Sequence, residues 1–366
     1  MIAVSVFAFV AWGVPHPRAR PFAPPPEHFR WLQAWSWWDG AWYVGIARHG
    51  YAFAPRGQSS VAFFPAYPLV ARAVAIVVGN QLLAAVLVTI GCGAGAITLF
   101  YRWCLRWVDR TQARYAVVSL VVYPCAFYLM GAVYADALFL CAAVAAFLFL
   151  ENDRPMAAGL LAALATATRP LGIAVAIGLW LRAHERGHFA RPDGSGAAAG
   201  RRMGMAGLLL APAGLVAYCV YLDVRFSHPF AFIQAEHGWG QSPGLSTWLK
   251  ASWFRSMARR PWWNAGHAHL AGHAAITLLA ICLLPAVFSR FGRAYGVYAA
   301  VIVIGAALST KDFVGMGRYV LSAFPCFVIA GEAAARRPVA GKVGLATSGC
   351  LLLVLAGLHA RGILIS

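Results

Sequence analysis

Apolar residues in this sequence come in blocks about 17 to 25 residues long, the length an α-helix needs to cross a hydrocarbon core about 30 Å thick. In lipid every backbone N–H and C=O must find a partner within the protein, so such blocks fold as helices packed into a bundle. The composition agrees: 61% of the 366 residues are hydrophobic and 11% are charged, against about 25% charged in a soluble domain. The expected fold class is all-α, a polytopic transmembrane helical bundle forming one integral membrane domain over residues 1–366.

Formal net charge is +18. In a soluble protein that excess would raise nucleic acid as a partner. Here the Arg residues sit mostly in short loops between apolar blocks, where they set topology and meet anionic lipid. Membrane lipids are therefore expected partners and nucleic acid is not. The eight cysteines stand singly within or at the ends of apolar blocks, with no CxxC pair, which points to neither a disulfide framework nor a zinc knuckle. Residues 1–14 are apolar, lack a basic leader and run into Pro and Arg, so they read as a short first span and not as a cleaved signal. Richness in Ala, Gly and Arg, with only three Lys, suggests a high-GC bacterium and hence its plasma membrane.

Residues 15–81 read as a long first outer loop. It carries Pro24-Pro25-Pro26, a run of Trp from Trp31 to Trp42 of the kind that gathers at a membrane interface, and an interfacial helix over 64–79. Spans are expected at about 82–103, 113–131, 134–150, 203–222, 269–289, 294–309, 319–335 and 343–361. The block 156–181 is broken by Thr168-Arg169-Pro170. As one helix it would send the basic loop 182–202 outside; as two half-spans turning at Arg169 it keeps Arg182, Arg186, Arg191, Arg201 and Arg202 in the cytoplasm. The hairpin is the expected form, and about eleven crossings result. Asp39, His49, Tyr134, Asp136, Arg169, Asp223, the large outer loop 223–268 with Glu236 and His237, Lys311, Asp312 and Arg318 then share the outer face.

Chemistry concentrates around Trp37-Trp38-Asp39-Gly40-Ala41-Trp42-Tyr43, followed by His49-Gly50-Tyr51 and Phe63-Phe64-Pro65-Ala66-Tyr67-Pro68. A carboxylate among aromatic rings at a membrane surface is partly desolvated and suited to act as a base on a sugar hydroxyl; the same pattern also describes an aromatic belt with one solvated Asp. Arg169, Lys311 and Arg318 are candidates to bind a lipid phosphate. For Arg169 the competing reading is a snorkelling side chain, and for the other two ordinary charges at loop ends. Asp136 either contacts acceptor or caps the helix that starts there. Glu236 and His237 either help bind acceptor or are simply solvated. His267, His269 and His273 have ligand-like spacing without an acidic or Cys neighbour, so no metal site is expected.

The order of these motifs resembles the PIG-V mannosyltransferases, relatives of the second mannosyltransferase of GPI-anchor synthesis, and their bacterial members in particular. The resemblance continues through Pro124-Cys125-Ala126-Phe127, Tyr134-Ala135-Asp136, where members usually carry Glu in place of Asp136, then Thr168-Arg169-Pro170, His228-Pro229 with Trp239, and Gly317-Arg318-Tyr319. It implies a GT-C glycosyltransferase fold, a polyprenyl-phosphate sugar donor, a glycan or glycolipid acceptor and a catalytic Asp in the first outer loop, which maps onto Asp39. The first loop has no DxD, so catalysis without a metal or other cofactor is expected. On this reading Asp39 is the general base of an inverting mannosyl transfer at the outer face. Trp38, Trp42, Tyr43, His49, Tyr51, Tyr67, Tyr134, Asp136, Glu236 and His237 would contact substrate. A transporter or lipid flippase with a broken-helix site near Arg169 is the alternative.

Overall fold

The computed structural model describes residues 2–13, 27–55, 57–187, 206–241, 243–259 and 265–364. All regular structure among them is helical. Four helices are long and apolar enough to cross a membrane: Gln81–Cys104, Ala206–Phe226, His267–Phe291 and Pro338–Ala360. The bent pair Met316–Ser322 and Pro325–Arg336 makes a fifth when counted as one span, and shorter apolar helices, among them Pro155–Thr166 and Arg293–Ser309, fill out the bundle. The chain is a multi-pass membrane protein.

Asp136–Glu151 is the central helix. All but two of its side chains, Cys141 and Phe149, are buried, as expected of a helix apolar on every side. It packs between Gln81–Cys104 and Pro155–Thr166. Small residues allow close approach where helices cross: a Cβ at Gly159 would collide with the Gly207 carbonyl, and one at Gly214 with the Ala163 carbonyl.

The segment 156–181 forms the hairpin. Pro155–Thr166 and Ile173–Glu185 are separated by a break at 167–172 in which Arg169 is extended and Pro170 opens a 3₁₀ turn. Both outer ends lie beside Glu151: Arg154 follows it after a short turn, and Arg182 and Arg186 bind its carboxylate at 2.7 and 2.6 Å. The break lies at the other end of the central helix, where Arg169 meets Asp136. Sixteen residues of helix, about 24 Å, separate the two clusters.

Two expected spans differ in form. The helix placed at 113–131 is Arg110–Val121 and stops there, because Pro124 cannot continue it; a buried 3₁₀ turn, Ala126–Leu129, follows. The span placed at 319–335 is two helices bent by 85° ahead of Pro325. The helix expected over 64–79 appears as Ala66–Val78, packed on Gln81–Cys104, with Leu69, Ile76 and Val77 exposed. Residues 14–26 and Arg191, Arg201 and Arg202 lie outside the described residues.

Candidate active site

Asp39 is the first residue of helix Asp39–His49, so its carboxylate stands at the positive end of the helix dipole. The preceding Trp38 holds a left-handed backbone, φ 57°, which a bulky residue adopts only under constraint. That constraint is visible. The Val133 amide donates to the Trp35 carbonyl at 2.8 Å, the Trp37 indole donates to the Ala360 carbonyl at 3.0 Å, and the Tyr134 hydroxyl lies 3.3 Å from both the Trp37 carbonyl and the Asp39 amide. The turn that aims Asp39 is thus tied to two other parts of the bundle.

Arg318 meets this carboxylate, Nη1 to Oδ2, at 2.8 Å. Its backbone is clamped: the Gly317 amide donates to His273 Nδ1 at 2.8 Å and the Tyr123 hydroxyl to the Gly317 carbonyl at 2.9 Å. A side chain at Gly317 would strike Cys125 and His273. Arg318 also lies over the rings of Tyr134 and Tyr319, at 5.1 and 5.6 Å. Alongside, Arg169 pairs with Asp136 at 2.9 Å and lies 4.8 Å from the Phe139 ring and 5.8 Å from Tyr319. The break carrying Arg169 is joined to the first loop by the Ala66 amide, which donates to the Ala167 carbonyl at 2.9 Å.

Two carboxylate–guanidinium pairs therefore share one aromatic wall, and they differ in access. The Asp136 and Arg169 side chains are 1% and 11% exposed, whereas Asp39 and Arg318 are 24% and 18% exposed. The second pair is the one a reactant can reach. Asp136 does not cap its helix; its carboxylate serves Arg169.

Glu236 faces the same pair from the large loop. Burial, and after it the Asp39 carboxylate, push its carboxyl up to about 7, against a smaller pull from Arg318. Its side chain keeps contact with water. The loop is fixed by Trp239, whose ring lies 5.9 Å from Trp42 and 5.8 Å from Phe63, and by Lys311, whose Nζ donates to the Gly240 carbonyl at 3.0 Å. Lys311 thus holds the loop beside the site.

Among the other sequence candidates, Tyr43 is buried with its ring 5.1 Å from Tyr67 and 6.4 Å from Tyr134. Burial pushes its phenol far above the ordinary range, Arg169 pulling the other way, so Tyr43 is a donor and not a base. Trp42 lines the mouth, stacked on Phe63 at 5.7 Å, and Trp38 is partly exposed. His49, Tyr51 and Tyr67 are engaged elsewhere. His49 is exposed at the far end of its helix, roughly 15 Å along the axis. Tyr51 and Tyr67 donate their hydroxyls to the Phe63 and Ala85 carbonyls, both at 2.8 Å. His237 is exposed beside Glu236. Tyr319 lies over the site without having been singled out in the sequence. Lys250 escaped notice too: it is buried, donates to the Ala307 and Thr310 carbonyls and pins the large loop to the bundle.

A helical membrane bundle with an accessible acid–guanidinium pair at one end, beside a broken helix, fits the GT-C fold that the resemblance implied. Over its whole length the chain superposes on 75% of ArnT from Cupriavidus metallidurans in the apo state, TM-score 0.54 at 14% identity. It likewise superposes on 76% of that protein bound to undecaprenyl phosphate, TM-score 0.50 at 13% identity. At such identities the likeness establishes the fold. In sequence the chain is 34% identical over 170 residues to GPI alpha-1,6-mannosyltransferase 2 of Cricetulus griseus, a match covering 42% of this chain and 32% of that protein. It thus spans about a third of the length of that relative. No family model matches. Over that stretch the chain is similar to this mannosyltransferase, in keeping with the resemblance its motifs carry.

Proposed function

We propose that this protein is an integral membrane mannosyltransferase that moves a sugar from a polyprenyl-phosphate carrier to a glycan or glycolipid acceptor at the outer face. The observation that carries the reading is the 2.8 Å contact of Asp39 with Arg318 at the accessible mouth of the bundle. A mannosyltransferase relative and a neighbour of the same fold that binds undecaprenyl phosphate support the substrate class. Sidedness rests on the basic cluster around Glu151, with Arg182 and Arg186, which by the positive-inside rule faces the cytoplasm and leaves Asp39 outside.

The chemistry follows from the pair. Without substrate, Arg318 neutralises the base. A donor phosphate offers the guanidinium a second anion and draws it from Asp39, with Arg169 next in reach. Asp39 then takes the proton of an acceptor hydroxyl, whose oxygen attacks the anomeric carbon from the face opposite the phosphate. The carbon–oxygen bond to the phosphate breaks, and polyprenyl phosphate leaves with its charge stabilised by the guanidinium groups. The product has inverted configuration. Two guanidinium groups supply the positive charge that such a leaving group needs, so we read the reaction as independent of metal. The test is transfer from radiolabelled polyprenyl-phosphate mannose by purified protein, offered a panel of acceptors with and without excess chelator. The expected outcome is transfer with inversion, unchanged by chelator. Transfer that the chelator abolishes would contradict the metal-free reading, and the absence of transfer to any acceptor would contradict the assignment.

A further inference from the structure

The large loop holds a polar cavity, of about 400 Å³, lined among the described residues by Ser252, Arg255, Ser256, Arg259 and His267. The first four lie on helix Ala251–Arg259 at spacings of three and four residues, so they form one face. None of them touches the Asp39 site described above. Like charges four residues apart on a helix repel, yet among the described residues neither Arg255 nor Arg259 meets a carboxylate; Arg255 donates through Nε to the Ala251 carbonyl at 3.2 Å. Both guanidinium groups line the cavity. His267 closes the floor. It is 8% exposed, its Nε2 lies 2.7 Å from Ser256 Oγ, and its Nδ1 has no partner among the described residues.

Two guanidinium groups, two hydroxyls and an imidazole, with no acid among the described lining residues, make a cavity suited to a phosphate group. Its surroundings say what would carry that phosphate. Leu245, Trp248, Leu249 and Phe254, on and just before the same helix, are all more than half exposed, the apolar rim of a segment lying in a lipid interface. The floor is stiff: Lys250 pins one end of the segment to the Ala307 and Thr310 carbonyls, and His267 shares its helix with His273, which fixes the backbone beside Arg318. We infer that this cavity binds the phosphate of an anionic membrane lipid, in a site separate from that of the sugar donor.

The probe is retention of phosphatidylglycerol, measured by native mass spectrometry of the full chain released from vesicles containing it, with inorganic phosphate as competitor and phosphatidylcholine vesicles as reference. Each Arg near a lipid phosphate contributes about a fivefold preference, so Arg255→Ala with Arg259→Ala should lower retention about thirtyfold. Paired Lys replacements should recover part of it, and millimolar inorganic phosphate should displace little. Both side chains are exposed, so the fold should survive; Ser256→Ala, which alters the cavity without touching charge, should weaken retention less. Equal retention by wild type and the double Ala variant would overturn the site. Full displacement by inorganic phosphate would overturn the lipid as its source. Neither result depends on whether the protein transfers a sugar.

Discussion

At the residue scale the site is a set of charges that modify one another, and each makes a prediction. The unfolded Glu236 carboxyl gives up its proton near its ordinary value of 4.5, while the folded one holds it to about 7. The folded state therefore binds more protons between those values, and stability falls as pH rises through them. Glu236→Gln removes that dependence. Relative to wild type, its melting temperature should rise from pH 4.5 to 7 and level off above; parallel curves across that range would contradict the raised value. Arg318 is held by its backbone and by two rings as well as by charge. Arg318→Ala should weaken donor binding and turnover together, since a phosphate contact exists before the reaction and strengthens during it. Arg318→Lys keeps the charge but loses the fork and should recover only part of the activity. Donor titration and initial rates on the three proteins check this. Arg169 was legible in the sequence because a charge is costly at membrane depth, Asp39 because it stands among aromatic rings in the first loop, and Arg318 as a charge at a loop end on the same face. Their pairing was not, because Asp39 and Arg318 lie far apart in the chain. Tyr51 and Tyr67 looked like substrate contacts for the same reason in reverse: a sequence cannot show that a hydroxyl is already bound to a carbonyl.

At the scale of elements, the hairpin at 167–172 decides the sidedness of everything after it. Pro170 and the five Arg of the following loop signalled it in the sequence, and the two arms now end beside Glu151. Residue 195, outside the described residues, belongs to that loop. With Ser195→Cys in intact cells or sealed vesicles, a membrane-impermeant maleimide should label from the cytoplasmic side alone; labelling from outside would invert the topology and put Asp39 in the cytoplasm. The sequence was less informative where prolines interrupt apolar runs. Composition alone makes 113–131 and 319–335 look like plain spans, whereas Pro124 ends one helix early and Pro325 turns the other through 85°. Both departures build the site. The early end leaves the turn that reaches Tyr134, and the bend presents Arg318 to Asp39.

On the scale of the whole molecule, charge is sorted to two ends. Asp39, Asp136, Arg169 and Arg318 gather at one end of the central helix, and Glu151, Arg182 and Arg186 at the other. A transporter needs a site reached from both sides, whereas Asp39 and Arg318 stand together at one end. Fold class was readable from block length and hydropathy, since lipid leaves the backbone few alternatives. The packing was not, because it depends on Gly–backbone crossings that periodicity does not reveal. The central claim is that Asp39 is the base and that Arg318 restrains it until a phosphate arrives. Its most direct test is Asp39→Asn, measured for both sugar transfer and donor affinity in nanodiscs. The amide keeps the shape but accepts no proton, so turnover should fall about 10²- to 10⁴-fold. Donor affinity should hold or tighten, because Arg318 is no longer shared with a carboxylate. Near wild-type turnover in the Asp39→Asn protein, or a loss confined to donor affinity, would contradict it.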